Sequence, residues 1–512
     1  LFSTFLTTTL DASATRRFDL LGSALAVILG VATDAQAARI VASYPHYGPA
    51  TSVHWPQQQF TPIYHNRGEW PFVDAYWLRA AAQAGNDAVA DRMVRALMRG
   101  AAINLSNMEN FEAASGAPFV DEGESSGPIV NSQRQLWSVA GYLSMVHRTL
   151  FGLEATADGL AVRPFLSAAL RGDLFADTDT LVLNDFPYHD ARLTVVLHLP
   201  ASGGAGAYSI RERRLDGDVV GDVLPRDLSG PHRVDVFLGD AADPASITTR
   251  DPGDWRAIFQ PRTPRATVAR RGSDLVVGID RNGESDEVTF AVYRNGVRVA
   301  DDLPSSASEW VDASPDLDRS PCYSIEACFA VSGNCSQHAP PTCWWGASTE
   351  RVRSFPATDL RNVGGSESTN HGRFHYENWG DAGHSLELAS FEANDTGAHL
   401  LQVVYGNGAG GVTTGITCAV KRAVVYAEDG TLVGEGALIM PHLGTWSRWA
   451  DSNFVSVDLV AGERYRIVIE SDDAYVNMSA FDHFEAYTGG LGGRSGEFNR
   501  VNISELKVLV RP

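Results

Sequence analysis

The 512-residue chain sets 41 Lys plus Arg against 62 Asp plus Glu, a formal net charge of −21. Such a balance repels phosphate backbones and anionic bilayer surfaces, so nucleic acid is excluded as an expected partner. At roughly 150 residues per domain the length predicts three or four domains, and 48 Gly with 24 Pro in an otherwise globular composition predicts turn-rich β-structure.

Residues 15–37, TRRFDLLGSALAVILGVATDAQA, imitate a secretory or twin-arginine leader: an Arg pair, an apolar run and Ala35-Gln36-Ala37. The run nevertheless passes without a break into ARIVASYPHYGPA, where Ile40 and Val41 continue an apolar helical face and Pro45 stops it. It is also shorter than the about 20 apolar residues that span a bilayer, so membrane insertion is not expected. The expectation is a pair of core helices in a chain whose true start lies upstream of Leu1.

Helical hairpins follow. WPFVDAYWLRAAAQAG places Pro71 in a first turn, Val73, Tyr76, Trp77 and Ala80 on one face, and Gly85 at the end. NDAVADRMVRALMRGAAIN has Asn86 as N-cap and Val89, Met93, Ala96 and Leu97 at helical spacing. In SQRQLWSVAGYLSMVHRTL, Ser132 and Gln135 predict a capping box, and Leu136, Val139, Ala140, Leu143, Val146 and Leu150 an inward stripe.

Two loops, 45–70 and 104–131, exceed the about 2 to 8 residues usual between helices, and loops of that length tend to be functional. Their contents suit sugar. Trp55, Tyr64 and Trp70 offer flat apolar faces, while His54, His65, Asn66, Arg67, Glu69, Glu109, Asn110, Glu122, Glu124 and the nearby Gln133 offer directed hydrogen bonds. Paired carboxyl groups are the simplest apparatus for glycoside hydrolysis, one protonating the leaving oxygen and one activating water. Singly, each residue has a plainer role: a loop Glu is usually a solvated acid, a helix-borne Trp usually core. A different chemistry also fits YHNR, where Tyr64, His65, Asn66 and Arg67 could abstract a proton and neutralise a uronate, as in polysaccharide lyases.

The stretches PIYHNRGEWPFVDAYWLRAA, NMENFEAASG, GPIVNSQRQLWSVAGYLSMV and GLEATADGLAVRPFLSAAL resemble the C-terminal half of the (α/α)6-barrel, or six-hairpin, glycosidases of the processing α-glucosidase and mannosylglycerate-hydrolase-like kind. The resemblance covers about residues 18 to 170. It implies an inverting hydrolase of an α-linked sugar whose Glu-Asn-Tyr glutamate is the general base, which maps onto Glu109, with Phe111 in place of the tyrosine. The family's general acid lies on an earlier loop with no position here to map onto; Glu122 or Glu124 is the stand-in. No catalytic cofactor is implied. A half barrel, residues 1–155, is also expected to expose apolar helix faces.

Beyond residue 155 the pattern alternates in the β manner, and 156–260 resembles the sandwich that packs behind such barrels. Residues 261–350 resemble a fibronectin type III domain, with a turn in YRNGV and four cysteines in 22 residues. No zinc-type spacing exists there; CFAVSGNC reads as a hairpin that apposes Cys328 and Cys335, leaving Cys322 to pair with Cys343. Disulfides imply an oxidising, secreted or periplasmic location. Residues 351–512 resemble a galactose-binding-like carbohydrate-binding jelly roll, with Trp446, Trp449, Tyr475 and Asn502 as candidate glycan contacts. Glu367, Glu392, Asp482 and Glu505 are oxygen candidates for a structural calcium. Besides hydrolase and lyase, a non-catalytic glycan-binding protein remains open. An oligo- or polysaccharide is the partner common to all three.

Overall fold

The computed structural model describes residues 1–4, 10–59, 61, 63–118, 132–317, 320–346, 351–410, 417–481, 488, 490–493 and 496–511. The chain is multidomain and mostly β, 40% strand and 19% helix. Among the described residues no helix is long and apolar enough to cross a membrane.

The first unit packs helices Leu20–Ile28, Asp34–Ser43, Pro71–Gln83, Asp87–Asn104 and Leu136–Ser144, the last continued by a π-helical Met145–Leu150. Its ends follow from local chemistry. Asp19 accepts from the Gly22 amide, Thr33 and Gln36 close a capping box, Asn86 Oδ1 accepts from the Val89 amide at 3.0 Å, and Gly85 takes φ +70° past a helix end. The Leu20–Ile28 run is core, as expected: Leu20, Ala24 and Val27 are buried with Val41, Trp77, Leu78 and Met93.

Two helical expectations need correction. A barrel, partial or whole, is not shown; Pro71–Gln83 instead runs through the middle of the unit, touching the helices that begin at Leu20, Asp87 and Leu136. The Leu136 helix begins without the predicted capping box, because the Ser132 backbone is engaged elsewhere. Its apolar stripe does not all turn inward. Leu136 is 84% and Leu143 51% exposed, while Ser138, Met145 and Thr149 are buried. The helix is set by Gly141, where a Cβ would stand 3.1 Å from Ala75 Cβ and 3.3 Å from the Phe72 backbone.

Strands then take over. A five-stranded sheet runs in the order Asp218–Val219, Tyr208–Leu215, Ser229–Ala241, Asp190–His198, Thr180–Tyr188, and the three strands Val223–Leu224, Leu160–Val162 and Leu153–Ala155 form a second sheet. Leu160, Val162, Leu193, Val195, Val234 and Val236 share their core. The chain then returns to the helical unit, where the His46 amide donates to the Thr248 carbonyl and the Gln57 amide to the Ile258 carbonyl, while the Arg250 and Gln260 amides donate back to the His46 and Gln57 carbonyls. That return strap fixes one end of the 45–70 loop.

Next come strands Arg265–Arg271, Asp274–Asp280 and Glu309–Asp312 in one sheet, and Val297–Leu303, Val288–Arg294, Cys322–Phe329 and Thr342–Cys343 in another. Both predicted disulfides are present, Cys322–Cys343 and Cys328–Cys335, and Cys418 is free and buried. The N-terminal segment lies on this unit, a contact the sequence did not suggest: the Ser324 hydroxyl donates to Asp11, and Arg16 pairs with Glu326 at 3.4 Å. The final unit stacks a seven-stranded sheet centred on Val501–Val510 and Gly397–Gly406 against the five strands Arg361–Val363, Ser385–Glu392, Arg464–Glu470, Ala419–Ala427 and Leu432–Met440. Trp379, Leu401, Ala423, Ile467 and Ile503 form its interior.

Peptide mapping without reductant should yield two bridged peptides, with Cys418 alkylated only after denaturation. Replacing Cys322 and Cys343 by Ser should lower unfolding stability by about 3 kcal/mol, and a loss under about 1 kcal/mol would contradict a loop-closing role.

Candidate functional site

Two residues of each long loop meet in a short antiparallel ladder, Gly68 opposite Glu112 and Glu69 opposite Phe111. Gly68 permits this approach: a Cβ there would lie 2.2 Å from the Tyr64 carbonyl oxygen and 2.7 Å from Trp70 Nε1. The Ala113 amide donates to the Arg67 carbonyl at 2.7 Å and extends the join. Loops separated by two helices thereby become one surface.

Glu109 sits at the edge of that join, buried. The Tyr64 hydroxyl donates to Oε1 at 2.6 Å and the Ser132 amide to Oε2 at 2.9 Å, while the Glu109 amide donates to the Ser132 carbonyl at 2.8 Å. Burial, and then the bond to Glu109, raises the Tyr64 phenol to about 12, so it remains a proton donor at neutral pH. Each Glu109 oxygen keeps lone-pair capacity for a further donor such as water.

Around this carboxylate the aromatics form a shelf. Tyr64 meets Trp70 edge-on at 5.1 Å, and the exposed His65 stacks on Trp70 at 5.1 Å and 15°. Trp137, 47% exposed, stands 6.1 Å from Trp70 and stacks on Phe72 at 4.8 Å. Trp137 is a surface residue that sequence reasoning left out; its pairing with Phe72 depends on helix packing that spacing alone does not show. Beside it a groove of about 490 Å³ runs between Leu21, Leu25, Tyr76 and Gly141. The groove belongs to the uncovered helix face and contains none of the carboxylates.

Other predicted contacts are occupied. Asn66 accepts from the Gln58 amide at 2.7 Å and donates to the Gln58 carbonyl at 2.8 Å, so it braces its own loop. Arg67 faces Glu112 at 3.6 Å and lies over the Phe259 ring, not against Glu109. Trp55 is core, packed 5.7 Å from Tyr47 and paired in register with Phe18. Asn110 is buried next to Glu109, and Gln133 is exposed. Glu122 and Glu124 lie outside the described residues.

Behind the ladder is a buried cluster that the sequence did not announce. Glu69 and Asp74 are 2% and 1% exposed, and both Asp74 carboxyl oxygens and Glu69 Oε2 lack a hydrogen-bond partner. Burial raises Glu69 to about 8 against the pull of Arg99 and Arg92, and burial next to Glu69 pushes Asp74 well above the usual carboxylate range. Glu112, by contrast, accepts from the Ser115 amide at 2.7 Å and from its hydroxyl at 2.6 Å.

In the last unit, Gly406 pairs with Asn502, and a Cβ on Gly406 would lie 2.8 Å from the Trp446 carbonyl. Trp449 precedes Ala450, which pairs with Tyr405. Trp446, Trp449 and Asn502 thus share one end of the sandwich, although Asn502 is buried. Tyr475 does not join them; it lines a separate depression with Lys421 and Asn499. The calcium candidates do not converge either. Glu392 pairs with Arg464, Glu367 lies on the strand Ser366–Ser368 and Glu505 on Val501–Val510, and Asp482 is outside the described residues.

No family model and no curated protein matches the chain. Similar solved structures are carbohydrate-binding modules and carbohydrate-active enzymes. A CBM35 from Cellvibrio japonicus Abf62 is 17% identical over 31% of this chain and 94% of its own, with a TM-score of 0.21. An Arthrobacter globiformis T6 isomalto-dextranase complexed with panose is 12% identical over 48% of this chain and 36% of its own, TM-score 0.23. A Paenibacillus cycloisomaltooligosaccharide glucanotransferase is 16% identical over 30% of this chain, which spans only 18% of that enzyme, TM-score 0.21.

The raised Glu69 fixes a sign for pH dependence. Between the unfolded carboxylate range and about 8 the folded chain holds a proton that the unfolded chain has released, so this stabilising contribution is full in acid and fades as pH rises through about 8. Glu69→Gln should remove that contribution, flattening the fall in stability between about pH 5 and about pH 8 by at least about 1 kcal/mol relative to wild type. Denaturant melts at several pH values check it; parallel profiles would contradict the raised Glu69.

Proposed function

We propose that the chain is a glycan-acting protein whose helical unit carries the site of an inverting glycosidase. Glu109 is the general base toward an α-linked sugar. The observation that carries the reading is the Tyr64–Glu109–Ser132 clasp, in which a buried carboxylate is oriented by a donor from each flanking loop beside an aromatic shelf. Proton transfer needs geometry first, and a base held on both oxygens presents its remaining lone pairs in a fixed direction. Tyr64 positions that base. His65, Trp70 and Trp137 supply the apolar faces a pyranose requires.

The following domains are carriers. The strand order of residues 265–343 supports a fibronectin type III-like spacer, and its two disulfides support a secreted or periplasmic location. A second reading, glycan binding without turnover, is favoured by the convergence of Trp446, Trp449 and Asn502 at one end of the last sandwich.

Glu109→Gln should lower kcat about 100- to 10,000-fold with KM nearly unchanged. A loss below tenfold would remove Glu109 from the mechanism. Trp449→Ala should weaken retention on polysaccharide in affinity electrophoresis while leaving kcat on a short soluble substrate intact. Unaltered retention would move glycan binding away from this end.

A further inference from the structure

We propose a divalent transition-metal site, of the zinc class, formed by His371, His375 and Glu377 in the last β-unit. The three residues fall in the short sequence HGRFHYE, across the hairpin that joins strands Ser366–Ser368 and His375–Trp379. His375 and Glu377 are two apart on one strand and so project from the same face. His371 comes back over them from the turn, its ring 5.4 Å from that of His375. One ligand atom from each of the three lies within 4.8 Å of the other two.

The hydrogen bonds call for a cation there. His375 Nδ1 is 2.8 Å from the Arg373 carbonyl oxygen, which can only accept, so Nδ1 carries the ring proton and Nε2 presents a lone pair. The His375 side chain is fully buried and Nε2 has no hydrogen-bond partner. Glu377 Oε2 stands 4.0 Å from it, another acceptor, and too far for a hydrogen bond even to a protonated ring. A buried, unpartnered ring nitrogen thus faces the half-exposed Glu377 carboxylate across a gap that a cation would fill. A backbone carbonyl on Nδ1 is also the arrangement that fixes a metal-binding imidazole in its tautomer. His371 is held likewise, through Nδ1 to Ser447 Oγ at 2.8 Å, and Trp449 Nε1 donates to its carbonyl at 2.9 Å.

Two imidazoles and one carboxylate select against calcium and magnesium, which take oxygen alone, and suit zinc and its neighbours. Ligand atoms at about 2.0–2.1 Å from a tetrahedral zinc stand roughly 3.3 Å apart, so side-chain shifts of well under about 1 Å close the site. Three protein ligands leave one position for water or a ligand hydroxyl. The neighbouring ring of Trp449, 5.2 Å from His375, lies at the end of the sandwich where Trp446 and Asn502 sit.

The test uses the full 512-residue chain, stripped with chelator and titrated with zinc alone. We expect one zinc per chain by elemental analysis and calorimetry, no response to calcium, and the visible bands of four-coordinate Co²⁺ on substitution. His371→Ala, at a half-buried turn position, and Glu377→Gln should each weaken zinc binding at least tenfold without changing the circular dichroism spectrum or the disulfides. Absence of stoichiometric zinc binding, or binding that survives both variants, overturns the proposal; the first result would leave His375 Nε2 a buried nitrogen without a ligand, the second would place zinc on other histidines.

Discussion

The helical unit depends on one constraint, the pairing of Gly68–Glu69 with Phe111–Glu112. Two long loops cost conformational entropy to order, and backbone hydrogen bonds alone seldom offset it in polar segments. Here the ladder is reinforced on both sides. Arg67 answers Glu112, Tyr64 answers Glu109, and the Phe111 ring presses so close to the Asp87–Asn104 helix that a Cβ on Gly100 would stand 3.0 Å from it. The acid in NMENF is therefore not a solvated loop residue. Its position is specified by the neighbouring loop, and its two donors come from residues 45 earlier and 23 later in the chain.

The same join concentrates charge in a dry place. Glu69, Asp74 and Glu112 sit together with Arg67, Arg92 and Arg99 close by, and they resolve into two kinds of carboxyl. Glu112 is hydrogen-bonded by its own turn, whereas burial raises Glu69 against the pull of Arg99 and Arg92, and burial next to Glu69 raises Asp74. A loop anchored by such a pair is stiff at neutral pH, which suits a surface that must hold a carboxylate in one direction.

Much of this architecture was legible in the sequence where the physics is local. Pro71 in the first helical turn, Asn86 as a cap, Gly85 past a helix end and the two cysteine pairs each follow from chemistry within a few residues, and each is present. What failed is what tertiary context decides. Ser132 forgoes its capping box because Glu109 takes its amide; Trp55 joins the core because a strand pairing with Phe18 turns it inward; Leu136 and Leu143 face outward because Gly141 fixes the approach of their helix to Ala75 and Phe72. Arg67 faces Glu112 across the ladder, a pairing that depends on the meeting of the two loops and not on local spacing. The His371–His375–Glu377 cluster is weak in the sequence because an H-x3-H pair with no Cys pair beside it is little evidence alone, and only the hairpin brings the first histidine back over Glu377.

The central claim is that Glu109 directs water to an anomeric carbon from the face opposite the leaving group. Stereochemistry tests that without dependence on any single substitution. Proton NMR of the first sugar released by the protein from an α-linked substrate should show the β-anomer before mutarotation, since a base-activated water inverts the centre. Release of the α-anomer would require a covalent intermediate on a second carboxylate and would contradict the role given to Glu109.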